Sequence, residues 1–187
     1  MFLDIGMGII CAIFVSDYFG VRLTDIMLLA GIAFSLGPDA DFLLHYIKHG
    51  ISRHDYKHRN GLHFPLLYVP IGTFLMYFLG GQAWATLFLM ASLSHFIHDS
   101  IAIGWGIKWL YPFSKKNFIF LYHYSKKQRK GIRKLVLALD GNRLTEMIEE
   151  HWTDDWIRAI YYNWHPIAIL EFSVFLSSFM LLYFYVK

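Results

Sequence analysis

Long apolar runs, each bounded by turn residues or charge, divide this chain. Met1 to Phe19 is the first, with Asp4 and Asp17 near its two ends, where carboxylates can reach water. A short turn, Gly20 to Thr24, leads into a second run from Asp25 to Leu36, which Gly37-Pro38 interrupts. Proline removes a backbone donor and disfavours helix at the residue before it, so the chain should bend there. A third run, Phe64 to Gly80, and a fourth, Gln82 to Ile107, are separated by the tight turn Gly80-Gly81-Gln82. The last run opens at His165-Pro166 and ends at Lys187, with Glu171 its one internal charge. A transmembrane helix needs roughly 20 mostly apolar residues. The pattern predicts an all-α, polytopic membrane bundle of about five spans.

Polar stretches connect the runs. From Phe42 to His63 the chain holds His45, His49, His54, His58 and His63 among basic residues. Lys108 to Lys134 holds nine of the 17 basic residues and no acid. Val136 to Asn163 is mixed and reads as amphipathic helix on the cytoplasmic side, with an acidic cluster at Glu149, Glu150, Asp154 and Asp155. We expect one integral-membrane domain over 1–187: four spans in 1–107, a basic then amphipathic segment in 108–164, and a last span in 166–186. If the spans alternate, both basic loops fall on one side. The opposite loops carry only Arg22, so the positive-inside rule puts the amino terminus and both basic loops in the cytoplasm.

Composition agrees: 56% hydrophobic, 19% aromatic and only 17% charged. The first run has no basic region ahead of it and no small-residue cleavage site, so it reads as a retained span, not a signal peptide. Cys11 is the one cysteine. That excludes an intramolecular disulfide and argues against a cysteine-ligated metal.

Candidate chemistry sits inside the apolar runs. Ser94-His95-Phe96-Ile97-His98-Asp99 lies within the fourth run, and an ionisable group at membrane depth costs about 3 kcal/mol on insertion scales. His95 and Asp99 are four apart, which stacks them on one helical face. Asp39 and Asp41 follow the Pro38 bend, and His58 and His63 precede the third span. By helix rise, Asp99 and Glu171 fall in the same cytoplasmic half of the membrane. Imidazoles and carboxylates without thiolates suit zinc first, then manganese or iron, with magnesium suiting a carboxylate-rich subset. Singly, each motif has a plainer reading. His95 and Asp99 could be a hydrogen-bonded pair, Pro38-Asp39-Ala40-Asp41 a helix cap, and Arg59 a lipid-phosphate contact. Together, at one depth, they point to a divalent-metal site of Asp39, Asp41, His58, His63, His95, Asp99 and Glu171. His45, His49 and His54 read as solvated, His98 as a supporting neighbour, and His123 and His151 carry no argued role.

In order, Pro38-Asp39-Ala40-Asp41, His58-Arg59-Asn60-Gly61-Leu62-His63, Ser94 to Asp99, and Gly106 to Pro112-Phe113-Ser114 resemble the successive motifs of the YdjM-type family. Those are inner-membrane proteins classed as metal-dependent hydrolases, distantly similar in motif to zinc-dependent phospholipase C. The resemblance covers about residues 1–115. It implies hydrolysis of a phosphoester or ester of a lipid-like substrate, with the metal set above, Asp99 catalytic and Arg59 holding an anionic headgroup. Two departures stand out. Asp4 sits about where the family has a histidine, and Leu62-His63-Phe64 lacks the family's hydroxyls beside the ligand.

The basic segment 108–134 is expected to meet anionic lipid headgroups, and no nucleic acid. Two other readings compete. A di-iron membrane oxidase or hydroxylase also uses histidine boxes, but its later His-x-x-His-His boxes are missing here. A non-enzymatic metal or ion carrier would use intramembrane carboxylates equally well.

Overall fold

The computed structural model describes residues 1–51, 59–101, 105–123, 133–151, 156–163 and 165–187. Its helices are α1 (Phe2–Phe19), α2 (Asp25–Leu36), α3 (Ala40–His49), α4 (Pro65–Ser100), α5 (Gly141–His151), α6 (Trp156–Tyr161) and α7 (Pro166–Val186). A pair of strands, β1 (Asn117–His123) and β2 (Arg133–Leu139), stands between α4 and α5. Among the described residues, four stretches are long and apolar enough to cross a membrane: Phe2–Phe19, Asp25–Lys48, Pro65–Ser100 and Pro166–Val186. This is a helical membrane protein.

Helix boundaries follow from local chemistry. Thr24 caps α2 by accepting a hydrogen bond from the Met27 backbone N–H at 3.2 Å. Pro65 and Pro166 open α4 and α7, where a missing N–H costs nothing. The Pro38 bend takes the form of a 3-10 turn, Gly37–Asp39, joining α2 to α3. Within α4, Gly81 stands at φ 79°, a region that glycine adopts most readily. Tyr68 nevertheless stacks on Phe88, ring centroids 5.5 Å apart. Those residues would be about 30 Å apart along a straight helix. The 36 residues of α4 are therefore a helical hairpin with arms 65–80 and 82–100. That recovers the third and fourth apolar runs, turned where Gly80-Gly81-Gln82 predicts.

The chain gathers into two compact units. The first comprises Met1–Pro38, Tyr68–His95 and Ala159–Lys187. Here α1 packs against both α2 and α7. Gly8 meets the backbone of Gly31 on α2, and Gly6 meets that of Val174 and Phe175 on α7. Small residues let membrane helices approach this closely. Cys11, Ala12, Val15, Met27, Leu87 and Ala91 form the buried core. The Tyr185 hydroxyl ties α7 to Ser16 of α1 at 3.1 Å.

The second unit comprises Asp39–Leu67 and Phe96–Arg158. β1 and β2 pair antiparallel, Asn117 opposite Leu139 and Phe120 opposite Val136. Ile107 and Phe118 exchange backbone hydrogen bonds in both directions, at 2.8 and 3.3 Å. Trp105 packs on Leu144 and Ile148 of α5. Amphipathic helix, expected from Val136, begins only at Gly141. Residues 136–139 are strand, because the apolar residues of Arg133–Leu139 find a partner in the aromatic run Asn117–His123.

Candidate metal centre

Three segments of the second unit bring the site together. Asp39 closes the 3-10 turn, Asp41 lies in the first turn of α3, and His63 stands two residues before the proline that starts α4. Asp99 comes from the last turn of the same helix. His63 Nε2 lies 3.5 Å from Asp39 Oδ1 and 3.3 Å from Asp99 Oδ2. Two donors on one tetrahedral zinc stand about 3.3 Å apart, given bonds of ~2.0–2.2 Å. On its far side, His63 Nδ1 faces Asp41 Oδ2 at 3.3 Å, and that oxygen also accepts the Leu62 N–H at 2.8 Å. Asp41 therefore stands behind the imidazole and fixes its orientation.

His95 lies one turn before Asp99 on α4, so the helix itself sets its place beside Asp99. Ligand atoms of Asp39, His63, His95 and Asp99 lie within 4.8 Å of one another. Two imidazoles and two carboxylates, with no thiolate, fit a divalent cation. A cation binding here would have to displace a proton from His63. Burial favours neutral His63, yet hydrogen bonds with Asp39, Asp41 and Asp99 outweigh it and hold its pKa at about 10. The metal's identity does not follow from the geometry.

Arg59 belongs to this centre in a different way from the expected one. Its Nη2 pairs with Asp99 Oδ1 at 2.9 Å, and its Nη1 donates to the carbonyls of Asp99 and Gly106 at 3.2 and 3.3 Å. The guanidinium carbon also sits 5.2 Å from the centre of the Trp105 ring. A side chain held in this way braces Asp99 and the Gly106 backbone. Nothing in the sequence announces a partner 40 residues away.

Asp4 overturns an expectation outright. It is 1% exposed, not reaching water, with Oδ1 3.2 Å from His95 Nδ1 and Oδ2 2.8 Å from the α-amino group of Met1. Asp17, at the other end of α1, is exposed as expected. Glu171 is buried in the first unit, but it is not among the four clustered residues. It accepts hydrogen bonds from the Tyr161 hydroxyl at 3.0 and 3.1 Å and lies 3.5 Å from the Met1 amino group. His98 is half-buried and also outside the four. His54 and His58, the latter an expected ligand, lie outside the described residues.

No curated protein and no solved structure matches this sequence. A family match does exist, to the YdjM inner membrane protein, and it extends over residues 3–186, well past the 115 residues that carry the motif resemblance. With apolar helices, Asp39 and His63 after the Pro38 turn, and His95 with Asp99 on α4 all in place, the chain belongs to the YdjM inner membrane protein family.

Proposed function

We propose that this protein is a metal-dependent hydrolase, acting on a phosphoester or ester of a lipid-like substrate at the cytoplasmic face of the membrane. The observation that carries the reading is the convergence of Asp39, His63, His95 and Asp99 within 4.8 Å. A divalent cation, zinc first among candidates, would supply an activated water and polarise a phosphoryl or acyl oxygen. The protein's own residues hold and orient that centre. Asp99 offers one oxygen to the cluster while Arg59 fixes the other. Asp39 keeps 31% of its side chain exposed, against none for His63, so substrate enters on the Asp39 side.

With Arg59 engaged, anion binding falls to the basic segment 108–134. Lys108, whose ammonium contacts the Asn60 side-chain oxygen and lies 6.0 Å from the Phe64 ring centre, is its best-placed described cation. Burial and the nearby charge of Lys115 hold its pKa below the usual lysine value. A partly desolvated ammonium binds a phosphate group more strongly than a solvated one.

The test uses purified protein in mixed phosphatidylcholine–phosphatidic acid vesicles. Phosphate release should stop on chelation and return with added zinc or manganese. Lys108→Ala should raise KM for phosphatidic acid several-fold with metal content unchanged. Metal binding with no hydrolysis of any phosphoester or ester would hand the site to the carrier reading. Orientation is checked separately. Reporter fusions at Gly81 should read outside and at Ser114 inside; the reverse would put the centre on the other face.

A further inference from the structure

Two histidines in the cluster turn Nδ1 toward a carboxylate, His63 in a hydrogen bond and His95 in a close contact. His63 presents Nδ1 to Asp41 at 3.3 Å, and His95 presents Nδ1 to Asp4 at 3.2 Å. Asp4 and His95 are each 1% exposed, and neither oxygen nor nitrogen has been placed there cheaply in an apolar span. Metal-binding imidazoles commonly donate their other ring N–H to a carboxylate, which selects the tautomer and raises the basicity of the coordinating nitrogen. We infer that Asp4 is a positioning residue for the metal centre: it holds His95 with Nδ1 protonated, so that Nε2 is the nitrogen offered to the cation. This rests on the metal reading proposed above.

The inference gives Asp4 a role that differs from ligand replacement. Asp4 is not one of the four clustered donors; it stands behind one of them.

The experiment measures cation affinity, not turnover, by chelator competition on the purified full chain with zinc and with cobalt(II). Asp4→Asn should weaken binding about 10- to 100-fold, the usual effect of losing such a partner. It should also shift the visible absorption of bound cobalt, while Asp4→Glu retains most of the affinity. In a His95→Ala background, where three donors still bind cation weakly, Asp4→Asn should cost nothing further. A carboxylate that merely stabilised the fold would lower affinity equally in both backgrounds. Wild-type affinity and an unchanged cobalt spectrum in Asp4→Asn would overturn the inference and leave the metal centre standing. A wild-type protein that takes up neither ion would instead remove the metal reading beneath it.

Discussion

Asp99→Asn is expected to lower cation affinity by more than about 100-fold, beyond the 10- to 100-fold typical of an outer partner. Asp99 is the one residue that faces both His63 and Arg59, at 3.3 and 2.9 Å. Asparagine keeps the shape but loses the charge that both neighbours use. Arg59, with its side chain 11% exposed, would then have only neutral acceptors. Removing one member of a buried pair costs up to ~3–5 kcal/mol, and partial exposure and the retained amide oxygen reduce that here. The double variant Arg59→Met/Asp99→Asn separates the two consequences. It should recover thermal stability without recovering the cation. Near-wild-type cation affinity in Asp99→Asn would show that Asp99 is not one of the groups that hold the cation.

The second large effect concerns packing. Gly31→Leu should abolish folding in detergent, and even Gly31→Ala should cost about 1–3 kcal/mol, as overpacked cores do. A Cβ on Gly31 would run into the Gly8 carbonyl, and one on Gly8 would lie 2.6 Å from the Gly31 carbonyl oxygen. Backbone cannot step aside as a side chain can. Gly141→Ala is the control, since nothing lies within 4 Å of its Cβ position. Equal unfolding temperatures for Gly31→Leu and wild type would mean that α1 and α2 do not cross at these glycines.

Several parts of this structure were legible in the sequence because one short segment carried each signal. Apolar runs located the membrane helices, and Gly80-Gly81 located the hairpin turn. The four clustered residues were readable as polar groups in or beside those runs; counting helix rise gave a depth to Asp99, and to Glu171, which lies outside the cluster. Other parts depend on partners distant in the chain. Arg59 beside His58 looks like a phosphate contact until Asp99 is seen holding it. Asp4, one turn from a helix start, looks wet until His95 is seen against it. The strands are not legible because the run Phe118–Tyr122, whose aromatics and Ile119 favour strand, is short and set among the positive charges of 108–134.

The hairpin at Gly81 has a consequence for biogenesis. His63 stands just before its first arm and Asp99 at the end of its second, so they occupy neighbouring positions only after the chain has crossed the membrane and returned. A half-inserted chain, with one arm across and the other still in the translocon, cannot assemble the cluster. Completion of the cluster therefore requires both arms of the hairpin in place, and under the metal reading proposed above cation uptake would follow their insertion.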